Sequence, residues 1–230
     1  MNEILTNSQF FGLCLSLWTY FIGMWLKRKL KWAVLNPLLI AILLCIAVLL
    51  CFDIDYETYY QGARYISFFL TPATVALAIP LYEQLDQLKK NWKAILVGIT
   101  SGVLASGGSI LLLSKLFGFT EAEFVTFYPK SITTAIGMSL SEEMGGHVAI
   151  TVAAIVITGV FGNIVAETAV KLFGIKNRVA KGIAIGSASH AIGTAKAMEM
   201  GEVEGAMSSL SIVLSGILTV VLANLFLMLY

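Results

Sequence analysis

The sequence predicts an all-α integral membrane protein with about six full transmembrane helices. Two short inverted-repeat segments, each re-entrant or a broken helix, complete it. Three observations lead there. Hydrophobic residues make up 58% of the 230-residue chain and charged residues 13%, where a soluble domain carries about 25% charged residues; mean hydropathy is +0.86. Charge-free stretches near the bilayer-spanning length of about 20 residues recur along the chain. Finally, Ala135-Ile136-Gly137, five residues, Glu143-Met144-Gly145 is repeated as Ala191-Ile192-Gly193, five residues, Glu199-Met200-Gly201. Both copies are rich in Gly, Ser and Thr amid apolar neighbours, the pattern of a transport site at a repeat interface.

The spans follow in order: Ser8–Leu26, Trp32–Phe52, Tyr65–Tyr82, Ala94–Ser114, Val148–Ala166 and Gly205–Tyr230. Charge placement orients them. Lys27, Arg28, Lys29 and Lys31 form one basic cluster, and Lys171, Lys176, Arg178 and Lys181 a second; the positive-inside rule makes both cytoplasmic. Asp53 to Glu57 then falls outside, and Lys89, Lys90 and Lys93 fall inside. The basic cluster follows the first apolar run, so that run reads as a retained span rather than a signal peptide, with the N-terminus outside.

Span counting leaves Pro129–Gly146 beginning and ending on the outer side, and Gly182–Gly201 beginning and ending on the inner side. The copies, near 129–146 and 183–201, therefore point in opposite directions within a single transmembrane domain covering 1–230. Irregular backbone of this kind is tolerated at membrane depth only where protein or a water-filled cavity satisfies it. The rival, two broken helices that cross fully, places Lys171–Lys181 outside, against the charge rule. The third span carries Pro72 and Pro80, each removing a backbone donor; with Gly137 and Gly193 they mark the expected helix breaks.

Cys14, Cys45 and Cys51 lie in apolar spans or at a span end and read as buried apolar cysteines. With two histidines and no Cys/His cluster, no metal and no cofactor are expected. Ser189 and His190 are adjacent, so on a helix they point about 100° apart and do not form a nucleophile–base pair; the chain does not read as an enzyme.

Ionisable and polar groups at membrane depth are costly and mark function. One set is Lys130, Ser131, Thr133 and Thr134, opening the outer motif; the other is Ser187, Ser189, His190, Thr194 and Lys196, around the inner one. Half-helix N-termini with adjacent hydroxyls suit a small anion such as a carboxylate. Taken singly, each hydroxyl reads first as a helix-packing group; the two clusters together favour a site. Glu143, Glu199 and His190 are the proton-coupling candidates. Lys196 can also pair with Glu199, three residues on.

Several stretches resemble the LrgB/CidB family of bacterial inner-membrane proteins, the antiholin-like LrgB proteins including the YohK type. They are Gly62-Ala63-Arg64, Thr71 to Gln84, Pro129 to Thr134, Ser141 to Gly146 and, most specifically, Gly186 to Ala197 with its Ser-His-Ala-Ile-Gly-Thr-Ala run. One departure is Ala135, where the pattern expects a proline. The resemblance covers essentially the whole chain and implies a multi-pass protein of the bacterial inner membrane. It implies either transport of small 2-hydroxy or 2-keto monocarboxylates, as in the plastid glycolate/glycerate transporter and bacterial pyruvate uptake, or antiholin-like control of murein hydrolase export and lysis. It further implies a small LrgA/CidA-type membrane partner. The expected partners are thus the lipid bilayer, a small carboxylate and that protein, with no nucleic acid; a homo-oligomer stays open.

Overall fold

The computed structural model describes residues 10–30, 36–69, 72, 75–76 and 78–230, and every regular element among them is a helix. The chain divides into two compact units, residues 1–76 and 77–230.

In the first unit, α1 (Phe11–Leu30), α2 (Pro37–Cys51) and α3 (Tyr56–Phe68) pack through small residues and a few hydroxyls. Gly12 lies against the Tyr59 carbonyl and Gly23 against Pro37, leaving no room for a Cβ at either. The Thr19 hydroxyl is 3.2 Å from the Cys45 sulfur, and that of Ser16 is 2.8 Å from the Tyr59 hydroxyl. Asn36 starts α2 by accepting from the amides of Leu38 and Leu39, with Pro37 at the first helical position, where a missing donor costs nothing. Asp55 does the same for α3 through Thr58.

Two expectations change here. The span placed at 65–82 is not one helix: Asp55 starts α3 at Tyr56, Phe69 caps it, and the chain is helical again at Pro72, Val75 and Ala76 and over α4 (Ala78–Glu83). Residues 70, 71, 73, 74 and 77 lie outside the described ones. Cys14 and Cys51 are exposed on their helices and Cys45 is half-buried; an apolar side chain facing lipid has no need of burial. All three are free thiols.

The second unit holds α4, α5 (Leu85–Phe117), α6 (Glu121–Phe127), α7 (Thr134–Glu143), α8 (Val148–Leu172), α9 (Arg178–Met200) and α10 (Glu202–Leu229). Residues 89–117, 148–172 and 202–229 are long and apolar enough to cross a membrane. Between them lie two helical hairpins. In the first, called the outer hairpin after the side that the charge rule gives it, α6 leads into a turn through 128–133 and α7 returns, so that the His147 amide donates to the Thr126 hydroxyl at 2.8 Å; the second is called the inner hairpin for the same reason. The Thr120–Glu123 capping box starts α6; the segment thus begins ahead of Pro129, where the sequence reading started it.

The inner hairpin is α9 itself. Its helical path breaks at Ser189 (φ −134°, ψ 15°) and His190 (φ 41°, ψ −141°). The second arm, 191–200, folds back so that Gly193 lies against Ile185. Its foot returns to its origin, with Arg178 Nε 3.5 Å from Glu204 Oε1. Ile95, Ile99 and Val103 of α5 bury against Ile183 of α9 and Ala206 and Met207 of α10. Phe124, Val125 and Tyr128 bury against Leu140, Ile110 and Phe226.

Candidate functional site: a hydroxyl-lined cavity between the hairpins

Three elements line an open cavity of about 910 Å³: one face of α5, the tip of the outer hairpin and the first arm of the inner hairpin. Its lining runs from Asn91 and Asn177 to Ser109 and Lys130 and takes nothing from residues 110–129. One end of the cavity thus adjoins the basic ends of α5 and α9, and the other reaches the tip of the outer hairpin. Small residues on α5 let the inner hairpin approach: a Cβ on Gly102 would sit 3.1 Å from Ser187 Oγ, and one on Gly98 3.3 Å from Ile183.

Lys130 is the one titratable side chain among the lining residues. Its ammonium donates to Ser131 Oγ at 3.0 Å, and that oxygen lies 3.2 Å from Ser106 Oγ. No carboxylate pairs with Lys130 among the described residues. Ser131 and Ser187 occupy matching places in the repeat, each six residues before its copy's central glycine, and both reach the cavity. Behind them lies a void of about 10 Å³, also lined by Ser106, Ser215 and Thr219, close to the size of one water. Ser215 Oγ, buried in its wall, has no hydrogen-bond partner.

The other expected site residues stand elsewhere. Thr133 caps α7 without a side-chain bond and Thr134 opens that helix; both are half-buried and off the cavity lining. Ser189 and His190 press into α8 where Gly162 and Gly159 leave space for them. His190 is 3% exposed, with Nε2 3.0 Å from the Ile155 carbonyl. Thr194 donates to the His190 carbonyl at 2.9 Å and meets Ser208 Oγ at 2.7 Å. Lys196 bridges Glu167 (3.4 Å) and Glu199 (3.2 Å). Glu143 is exposed at the end of α7. Gly137 and Gly193 are tight contacts, the first against Ile155 and Pro129, the second against Ser189 and Ile185. Pro72 falls in the first unit and Pro80 inside the α4 backbone.

Sequence reasoning missed the α5 wall. Gly98, Gly102, Ala105, Ser106 and Ser109 recur at helical spacing and form a small, polar stripe that was legible inside an otherwise apolar span. It also missed Glu204, which is 3% exposed at the foot of the inner hairpin and leaves Oε2 without a hydrogen-bond partner.

The profile of the LrgB-like family matches residues 16–229. The antiholin-like protein LrgB of Bacillus mycoides (strain KBAB4) is 40% identical over 222 residues, covering 96% of each chain. The proteins of the same name from Bacillus cereus (strain B4264) and Bacillus anthracis (strain CDC 684 / NRRL 3495) match to the same extent. No solved structure matches. With its all-helical fold, apolar spans and full-length match to these relatives, the chain belongs to the LrgB-like family of membrane proteins.

Proposed function

We propose that this protein carries small 2-hydroxy or 2-keto monocarboxylates, such as pyruvate or glycolate, across the bacterial inner membrane, with a small LrgA/CidA-type partner. The observation behind this reading is Lys130: a single cation, without a carboxylate partner among the described residues, facing a cavity lined by serine hydroxyls. Such a charge at membrane depth is retained at a cost, and a substrate carboxylate offsets that cost through charge-assisted hydrogen bonds. The hydrogen-bonded pair Ser131 and Ser106 supplies a further donor, and Ser187 of the inner hairpin lines the same cavity. With Lys89, Lys90 and Lys93 on the cytoplasmic side by the charge rule, the Asn91 end of the cavity is the cytoplasmic one and the state is inward-facing. Alternating access then moves the hairpin tips relative to α5. Ser189, His190 and Thr194 shape the inner tip, and Thr133 and Thr134 set the start of the outer return arm. Lys196 with Glu167 and Glu199 holds the second arm of α9.

Uptake of labelled pyruvate or glycolate into proteoliposomes, with and without the partner, tests this. Absence of uptake under every proton or sodium gradient, partner included, overturns it. A second reading, antiholin-like regulation of murein hydrolase export, rests on the relatives' names. The two separate in a strain lacking the gene: a Lys130→Gln protein that abolishes uptake yet restores normal autolysis favours the regulatory role.

A further inference from the structure

The transport reading leaves open which group couples uptake to an ion gradient, and the cavity narrows the choice. Glu143 is exposed at the end of α7, and Glu199 is exposed and ion-paired with Lys196; neither lines the cavity. His190 is turned away into α8, bonded to the Ile155 carbonyl. The other polar groups lining the cavity are uncharged: Asn91, Ser101, Ser106 and Ser109 from α5, Ser131 beside Lys130, and Asn177 and Ser187 from the inner hairpin. Two residues back, Tyr128 donates its hydroxyl to the Thr219 carbonyl. A proton taken up within the cavity therefore has one side chain to reside on.

We infer, resting on the transport reading, that Lys130 Nζ carries the coupled proton, so that one monocarboxylate anion and one proton cross together without net charge. After the proton has been released, the empty carrier returns with Nζ as an amine, within reach of the Ser131 hydroxyl. A proton from the entry side converts it to the ammonium, which pairs with the substrate carboxylate; the neutral pair crosses with the moving hairpin tips. On the exit side the carboxylate leaves, and the ammonium, again without a counter-charge, returns its proton to water. Lysine can alternate in this way; arginine stays protonated throughout.

Proteoliposomes containing the whole chain and its partner distinguish the possibilities, using labelled pyruvate and a trapped pH dye. Wild-type vesicles with an acidic exterior should accumulate pyruvate, acidify internally as they do so, and show no response to an imposed membrane potential. Lys130→Arg should retain exchange of labelled for unlabelled pyruvate while losing accumulation driven by the pH gradient. Lys130→His keeps a titratable group of lower intrinsic pKa and should retain accumulation with its pH profile moved to the acidic side. Accumulation by Lys130→Arg equal to wild type, or a Lys130→His profile that coincides with wild type, overturns the inference and leaves the carrier reading standing. Wild-type accumulation indifferent to the pH gradient also overturns it. Wild-type vesicles that neither accumulate nor exchange pyruvate overturn the carrier reading itself, and the inference with it.

Discussion

The two hairpins share a motif and divide the work between them. Each return arm carries the repeated Ala-Ile-Gly and ends at a Glu-Met-Gly, and in each the central glycine is a close contact, Gly137 against Ile155 of α8 and Gly193 against Ser189 and Ile185 of its own hairpin. The tips differ. The outer one turns through six residues and places Lys130 at the cavity; at the matching position the inner one has Gly186, pressed against Ser208 of α10. The inner one turns in two residues, with His190 at φ 41°, a conformation that costs about 1–3 kcal/mol in a non-glycine residue and persists where the surroundings enforce it. Gly159, Gly162 and the Ile155 carbonyl supply those surroundings. One hairpin presents charge and the other is a closely packed wall, so equivalent substitutions should fail in different ways.

The largest contrast lies at the matched pair itself. Gly186→Val drives branched carbons into the backbone of Ser208, and overpacking of that kind costs about 1–3 kcal/mol or more; thermal unfolding in detergent should show a marked fall in Tm. Lys130→Gln faces open space and should leave Tm unchanged while uptake falls by about two orders of magnitude, as for loss of a charge-assisted contact worth roughly 2–5 kcal/mol. If both variants lose stability equally, the division between charged tip and packed wall is wrong.

Next come the paired serines. Ser131→Ala removes the acceptor of Lys130 and a neighbour of Ser106. Ser187→Ala removes a hydroxyl whose proton is already committed to the Ile183 carbonyl within its own helix. Uptake should fall about tenfold in the first, in line with a net hydrogen-bond contribution near 1 kcal/mol or somewhat more for a charged donor, and less in the second. Equal effects would mean that the substrate uses the two hairpins symmetrically.

Glu204 tests the foot of the inner hairpin. Its carboxylate is buried, but its partner Arg178 is largely solvated, so removing it strands no buried cation. Glu204→Gln should lower stability by about 1 kcal/mol, read as a small fall in Tm; a loss of several kcal/mol would mean the foot holds the unit together.

How much of this was legible follows from the physics of each signal. The repeated strings were readable because close packing around both return arms, on Gly137 from Ile155 and on Gly193 from Ser189, demands a small residue in each. The membrane class and all-helical fold were readable from composition and from the lack of charge in the long spans. Helix α6 was not, because seven residues give no useful periodicity and its acidic first turn resembles a loop; only the Thr120–Glu123 capping box marked it. The serine stripe of α5 was lost inside a span whose mean hydropathy hides the cavity-lining hydroxyls of Ser101, Ser106 and Ser109. Folding Lys130 and Lys196 into one site followed from their matched surroundings, but ion pairing to Glu167 and Glu199 takes Lys196 elsewhere, and Glu167 lies in another helix, beyond the reach of local sequence.

The smallest predicted difference is also the sharpest comparison, because it concerns one kind of residue doing one local job in each hairpin. Asn177 caps the first arm of α9 by accepting from the Ala180 amide at 3.1 Å, whereas Thr133 stands at the start of α7 with no side-chain cap bond. An N-cap side chain replaced by alanine typically costs about 1 kcal/mol. Asn177→Ala should therefore lower Tm measurably. Thr133→Ala should change stability by less than about 0.5 kcal/mol, since no cap bond is lost. A Thr133→Ala protein with unchanged Tm but reduced uptake would place that hydroxyl on the substrate's route, extending the charged tip from Lys130 toward the α7 N-terminus. Unchanged uptake would confine the binding surface of the outer hairpin to Lys130 and Ser131.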